Sequence, residues 1–401
     1  MSERSSGGVF RLAHVTDPHF RSFDGARVGD FLGKRAVGAL NLVVNRRRKH
    51  KMELLEALGE DLGRQVPDHL ALTGDLSNVS LEAEWRVALR WIEALGRPGA
   101  DITVIPGNHD AYVKDVVASG IFETLFAANQ TAGPDEGPGA RGAAHGDSRE
   151  SYPFVRFRGP LAVVSLNSCV ATGDLGAWGE VGARQLARAE ATLSSPAVRA
   201  RRRVILIHHP PIRHKGGEER NLRDRQAFSE LLERTGAELV LHGHDHRDEA
   251  GTLRGPGGST IPVVGAGSAS YAGSAERRAR YNIYEFEGPT ITQIVRVHDE
   301  ATDAFRETHR LRIALTPGAP TRLLGRRADR PANQGDGRMG GRKGSETTSR
   351  PLGETAGKCK GHPRPCIFLT NPSAPVASDH GNGRCLGRAT DVPGDAIRSG
   401  T

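Results

Sequence analysis

The chain has 401 residues, 37% of them hydrophobic, with 50 glycines and 23 prolines, enough for one large domain plus an appendage that dilutes an ordinary core. Its net charge of +8 resides in the tail: residues 317–401 carry 14 basic and 7 acidic side chains, leaving 41 basic against 40 acidic in the first 316. A globular part so nearly neutral offers no broad phosphate track, so nucleic acid is not an expected partner. No run approaches the length of a membrane-spanning helix, and the start MSERSSGGVF lacks an apolar signal core, so a cytoplasmic location is expected. Cys169 lies alone in the first three hundred residues, with Cys359, Cys366 and Cys385 near the end, which excludes a disulfide scaffold and spaces the tail thiols poorly for zinc.

In chain order, residues 9–16 read as the first strand. Residues 30–51 follow, with Phe31, Leu32, Val37, Leu40, Val43 and Val44 at near-helical spacing and a basic end, RRRKHK. Together with a helix over 53–64 they form a helical insert spanning about 30–64. A strand ends before Asp75, a helix spans 81–95 behind Ser80 as its N-cap, and a strand at 102–105 leads into PGNHD. Residues 132–146 read as a loop, and 152–157 pairs with 161–166 as a hairpin. A helix over 180–193, a strand over 204–207, a helix over 225–234 and a strand over 238–241 come next. Strands at 260–264, 280–286 and 291–297 finish a sheet. Strands alternate with helices early and late, with strand-only stretches between and after, which predicts two mixed sheets with helices outside. Beyond about 314 the periodicity dissolves. Residues 314–401 are expected as a low-complexity, disordered basic tail, an unselected extension rather than a nucleic-acid arm.

Five apolar runs stop abruptly at Asp, Asn or His: LAHVTDPH (Asp17, His19), HLALTGD (Asp75), ITVIPGNHD (Asn108, His109, Asp110), VILIHHPP (His208, His209) and AELVLHGHDH (His242, His244, His246). Open α/β sheets place their sites at the carboxyl ends of strands. Five such ends, carrying only hard oxygen and nitrogen donors, look like a metal centre assembled from the whole sheet. Two divalent ions a few ångströms apart clamp a phosphate and lower the pKa of a hydroxide between them. Such a centre needs a shared carboxylate, further oxygen donors and several imidazoles, and must avoid thiolates if it is to hold Mn, Fe or Zn. Gly74 and Gly243 let the backbone turn tightly beside these donors. Each block alone has a plainer explanation: Asp75 as a turn or cap residue, GNHD as a polar turn, His209 and His242 as structural or outer groups, His14 as core. The five in series decide the matter.

The series DPH, GD, GNHD, HHPP and GHDH resembles the calcineurin-like metallophosphoesterase superfamily, written D-x-H, G-D, G-N-H-[DE], H-x-P and G-H-x-H. The likeness covers about residues 10–297 and is closest to bacterial members of the cyclic-nucleotide phosphodiesterase type. It implies an α/β fold, a four-layer αββα sandwich of two mixed β-sheets with the metal site at the strand C-terminal ends, in a domain over 1–313. It also implies two divalent metal ions, Mn, Fe or Zn, with Asp17, His19 and His246 on the first, Asn108, His208 and His244 on the second, and Asp75 bridging. His109 would be no ligand but a general acid or transition-state stabiliser near the leaving group, with Asp110 orienting it. One departure stands out, since many relatives read G-D-x-x-D where this chain has Asn78, which hydrogen-bonds but supplies no charge to tune His109.

The implied reaction is hydrolysis of a small phosphodiester or phosphoester, cyclic nucleotides among them, by a metal-bridging hydroxide. A second reading takes residues 34–51 as a basic amphipathic helix in peripheral membrane contact, on a hydrolase of lipid or nucleotide-sugar pyrophosphates. A third is a non-catalytic scaffold, whose sequence mark, loss of a ligand or of His109, is not seen. Tyr112, Asn167, Arg213 and His214 lie close to motif ends and are candidates to face the cleft.

Overall fold

The computed structural model describes residues 8–26, 49–97, 99–130, 148–172, 176–213, 218–313 and 324–327. The predicted loop at 132–146, His214, residues 34–48 of the basic stretch and nearly all of the predicted tail lie outside the described residues. Early strands are β1 (Phe10–Val15), β2 (His69–Thr73), β3 (Ile102–Ile105), β4 (Phe154–Arg158), β5 (Leu161–Ser165), β6 (Arg202–Leu206) and β7 (Leu239–His242). Later ones are β8 (Glu249–Arg254), β9 (Thr260–Gly265), β10 (Arg280–Glu287), β11 (Thr290–Asp299), β12 (Ala304–Ile313) and β13 (Leu324–Arg327). The helices are α1 (Glu53–Gln65), α2 (Glu82–Ala94), α3 (Lys114–Ser119), α4 (Ile121–Leu125), α5 (Ala183–Ser194), α6 (Pro196–Arg199) and α7 (Arg225–Thr235).

Two mixed sheets result, ordered β13-β12-β11-β10-β1-β2-β3 and β4-β5-β6-β7-β9-β8. Their parallel centres, β1-β2-β3 and β5-β6-β7-β9, all point their carboxyl ends the same way within each sheet. The period of two explains the layering. On β5, Leu161 and Val163 face the core between the sheets, while Ala162 and Val164 face the helix-side core. On β1, Leu12 enters the same central core and Ala13 and Val15 the other helix-side core, which α1 and α2 close with Leu55, Leu58, Trp85 and Ile92. On the far side Ala189 and Leu193 of α5 and Phe228 and Leu232 of α7 cover the second sheet. Three apolar seams therefore separate four layers, helix, sheet, sheet and helix. Strands buried on both faces read as continuous hydrophobic runs, which is why the sequence shows them so plainly.

Three strands went unread. β8 alternates half-buried with exposed residues, and β12, AFRETHRLRI, is mostly charged. β13 lies inside the stretch expected to be tail and adds a four-residue backbone pairing to the sheet edge. Among the described residues no helix is long and apolar enough to cross a membrane.

Ser80 does not cap α2 as expected. Its φ is +57°, and its hydroxyl instead donates to the His109 carbonyl at 2.7 Å and accepts from Tyr112 N at 2.9 Å. The helix start is held by Glu84, whose carboxylate accepts from the backbone N–H groups of Asn78, Val79 and Leu81. Burial pushes the Glu84 carboxyl up to about 7, against those hydrogen bonds. A carboxyl raised on folding contributes stability that is full below its unfolded pKa and lost as pH rises through the folded one. The melting temperature of the metal-free protein is therefore expected to fall between about pH 5 and 8, by the equivalent of up to about 3 kcal/mol, and Glu84→Gln to flatten that fall. An equally steep fall in the variant would place the titrating group elsewhere.

Candidate metal centre

The five motif blocks leave their strands at β1, β2, β3, β6 and β7, and hydrogen bonds between the loops bring them to one seam. Asp17 N donates to the Gly74 carbonyl at 3.1 Å, His19 N to the Asp75 carbonyl at 3.0 Å, and Phe20 N to that of Leu76 at 2.7 Å. Between sheets, His208 Nδ1 meets the Thr73 carbonyl at 2.8 Å and His244 N donates to Asp17 Oδ2 at 3.1 Å. Asp17, His19, Asp75, His244 and His246 all adopt positive φ, between 49° and 78°. Such backbone costs about 1 kcal/mol or more per non-glycine residue, and strain of this kind gathers where the surrounding structure over-determines a site.

Two glycines permit the close approach. A Cβ on Gly107 would sit 2.1 Å from Asp75 N and 2.8 Å from His208 Cε1; one on Gly243 would sit 2.0 Å from Thr16 Oγ1 and 2.6 Å from Asp17 Oδ2. The backbones of the third and fifth loops therefore lie flat against the carboxylates.

Donor atoms of Asp17, His19, Asp75 and His246 lie within 4.8 Å of one another. Asp75 also reaches the other group: its Oδ1 is 3.4 Å from His208 Nε2, which is 3.1 Å from Asn108 Oδ1, itself 2.8 Å from His244 Nδ1. The tautomers are set from outside. His19 Nδ1 lies 3.2 Å from the Ser77 carbonyl and His208 Nδ1 on that of Thr73. A carbonyl only accepts, so each Nδ1 holds the proton and each Nε2 of the neutral ring presents a lone pair. Burial holds the His208 and His244 imidazoles below their ordinary pKa, so they favour the neutral form. Burial opposes charge on Asp17, yet His246 and the Thr16 hydroxyl hold its carboxyl below the usual range.

Those lone pairs point at other acceptors. His208 Nε2 faces two oxygens and His19 Nε2 is 3.7 Å from Asp75 Oδ2, while His246 Nε2, 3.0 Å from His19 Nε2, donates to it when it carries the proton. Asp17 Oδ1 is buried with His246 Nε2 3.3 Å away as its neighbour. Acceptor against acceptor in a low-dielectric pocket is repulsive, and cations between them reverse the sign. The donor set, all oxygen and imidazole nitrogen, fits divalent Mn, Fe or Zn. Asn108, His109 and His246 are half-buried where the other donors are buried, so they mark the mouth.

His109 stands beside this cluster. Its N–H donates to Asp75 Oδ1 at 2.8 Å, and its Nδ1 meets the Asn78 carbonyl at 2.5 Å. Tyr112 stacks on its ring, centroids 5.6 Å apart and planes 14° from parallel. The Asn78 side chain turns away, donating to the Phe20 carbonyl and to Glu84 Oε1. At this position the main chain, not an acid, holds the catalytic candidate.

Asp110, expected to orient His109, also holds the second and third loops together. Its carboxylate accepts from the N–H groups of Leu76, Ser77 and Gly107, the Ser77 hydroxyl and Trp85 Nε1, at 2.8–3.0 Å. It supports His109 through Ser77, whose Oγ is also 2.9 Å from the His109 carbonyl.

His209 is used structurally, with Nδ1 on Ser168 Oγ and Nε2 on the Ala177 carbonyl. His14 is buried on Thr73 Oγ1, and burial brings its pKa down to about 3. Asn167 is a turn residue bonded to Cys169 N and Gln185, and Arg213 is exposed. Sequence reasoning missed His50, whose ring lies 4.7 Å from that of His19. It sits in a basic run, RRRKHK, rather than just after an apolar run, so no local signal marks it.

The family model of calcineurin-like phosphoesterases matches residues 10–248, more than half of the chain. No curated protein sequence matches it significantly. Among solved structures, that of PhoD aligns with a TM-score of 0.52 at 9% identity, over 79% of this chain and 71% of the other, a likeness of fold. A dimetal phosphatase from Danio rerio aligns at a TM-score of 0.49 and 12% identity, over 77% of this chain and 99% of its own. A purple acid phosphatase from yellow lupin (Lupinus luteus) seeds aligns at 0.46 and 13%, over 75% and 53%. With its five blocks in order on this fold and the family match spanning them, the chain belongs to the calcineurin-like phosphoesterases, hydrolases of phosphoester bonds.

Proposed function

We propose that the centre holds two divalent cations, with Asp17, His19 and His246 on one, Asn108, His208 and His244 on the other and Asp75 shared, and that the chain hydrolyses small phosphodiesters or phosphoesters, cyclic nucleotides among them. The observation that supports this most directly is the convergence of the His208 and His19 lone pairs on carboxylate and amide oxygens, an arrangement that is unfavourable without cations. When bound, such ions clamp phosphoryl oxygens and make a water nucleophilic near neutral pH.

The chain's own residues do the rest. Outer carbonyls of Thr73 and Ser77 fix which nitrogen of His208 and His19 is offered, and such partners raise ligand basicity. His109, with Nδ1 spent on the Asn78 carbonyl and its plane set by Tyr112, offers Nε2 at the half-buried mouth. In its imidazolium form the Nε2–H there would give its proton to the departing oxygen, leaving the neutral ring with Nδ1–H still on the Asn78 carbonyl. The choice of diesters rests on the motif set rather than on the cleft.

Metal-stripped full-length protein is expected to turn over bis(p-nitrophenyl) phosphate only after Mn²⁺ is restored. His109→Ala should lower kcat by about 10²–10⁴-fold while leaving the bound Mn²⁺ unchanged. Equal turnover in the variant would remove His109 from the chemistry, and wild-type protein that binds no metal would sink the proposal.

A further inference from the structure

One more imidazole reaches the centre from outside the five loops. His50 belongs to the basic stretch RRRKHK, yet it is only 4% exposed. Its ring lies 4.7 Å from that of His19 and 5.3 Å from that of His246. One donor atom of each of these three lies within 4.8 Å of the other two. The backbone on both sides holds the residue there. His50 forms an antiparallel bridge with Tyr271, Lys51 N donates to the Ser270 carbonyl at 3.0 Å, and Ala272 N donates to that of Lys49 at 2.6 Å. Ring orientation is set by Ser270 Oγ, 2.8 Å from Nδ1, and by the Tyr271 ring packed edge-on at 5.4 Å. Ser268 Oγ, 3.5 Å from the same Nδ1, donates to the Asp17 carbonyl at 2.6 Å. The support of His50 and the backbone of Asp17 are thus one network.

We propose that His50 is a further ligand of the first cation, a third imidazole beside His19 and His246; this rests on the dinuclear reading above. A metal-ligating imidazole usually spends its other nitrogen on an outer polar partner, and Ser270 takes Nδ1 here, leaving Nε2 as the donor atom. The three rings converge with one donor atom of each within 4.8 Å of the others, the spacing a shared cation needs. The centre is then asymmetric. His19 and His246 belong both to the group with His50 and to the group with Asp17 and Asp75, so the first cation would gain an imidazole that the second, held by Asp75, Asn108, His208 and His244, lacks. It also follows that the segment entering α1 is anchored at the metal centre rather than merely appended to the domain.

The test is Co²⁺ titration of the metal-free full-length protein, read by calorimetry and visible absorption, in wild type, His50→Ala, His50→Gln and Ser270→Ala. Wild type is expected to take two Co²⁺. Both His50 variants should weaken one site by about tenfold or more and alter the intensity of its Co²⁺ absorption, with the other site unchanged, and Ser270→Ala should weaken the same site less. Thermal unfolding separates ligation from packing. The metal-free His50→Gln protein should melt with wild type but gain less on adding Co²⁺. Two Co²⁺ bound with wild-type affinity and spectrum in both variants would overturn the assignment, whatever happens to the melting temperature, and make His50 a packing residue. No Co²⁺ bound by wild type would overturn it together with the dinuclear reading beneath it.

Discussion

Asp75→Asn is expected to abolish turnover of bis(p-nitrophenyl) phosphate, by on the order of 10³-fold or more in kcat, or about 4 kcal/mol of barrier, while leaving the metal-free fold intact. The two parts of this expectation have opposite physical origins. Asp75 faces both donor groups, Oδ1 toward His208 Nε2 at 3.4 Å and Oδ2 toward His19 Nε2 at 3.7 Å. An amide keeps the shape that Gly107 leaves room for, and keeps an oxygen for the His109 N–H. It loses the charge and turns a donor toward the His19 lone pair. Without metal that relieves repulsion, so the metal-free variant should melt at or slightly above wild type. With Mn²⁺ the order should reverse, because only wild type gains binding free energy on top of folding. Wild-type-like turnover in the variant would remove Asp75 from the centre.

Strand ends were legible because the chemistry here is written locally. Val15, Thr73, Ile105, Leu206 and Leu241 each close or nearly close an apolar run, and the donors follow within a few residues. The sandwich was legible for the same reason, since β5 and β7 are buried throughout and β6 from Val204 on, each as a short apolar run. What stayed hidden depends on contacts between distant segments. Nothing in the stretch around His50 indicates that Ser270 and Tyr271, some 220 residues away, will pin it beside His19. Ser80 has the residue type of a cap, but a partner on the third loop competes for its hydroxyl and wins. Asn78 reads as a lost acid, whereas its carbonyl is the atom that meets His109. β12 was missed because one of its faces is solvent, so Arg and Glu are as good there as Val.

Asp110→Ala is expected to destabilise the metal-free protein by on the order of 4 kcal/mol, the larger of its two effects, with the loss of activity following from it. The carboxylate, 2% exposed, gathers donors from three separate places: Leu76 and Ser77 after β2, Gly107 before Asn108, and the Trp85 indole on α2. Alanine leaves those N–H groups buried without an acceptor, each costing about 1–3 kcal/mol where water cannot replace it. Asparagine should do less harm but not restore wild type, because its amide N–H would oppose at least one of the donors. Trp85→Phe removes a single donor and should cost about 1 kcal/mol from that bond. The ranking Ala, then Asn, then Trp85→Phe, read as melting temperatures without metal, distinguishes a hub from a residue that merely orients a neighbour. Were Asp110 acting on His109 alone, Asp110→Asn would lower kcat with the melting temperature unmoved. Here the geometry demands the reverse order, because the second and third loops are joined through this carboxylate. When it goes, Asn108 and His109 lose their register against Asp75, so cation affinity and turnover fall together rather than turnover alone.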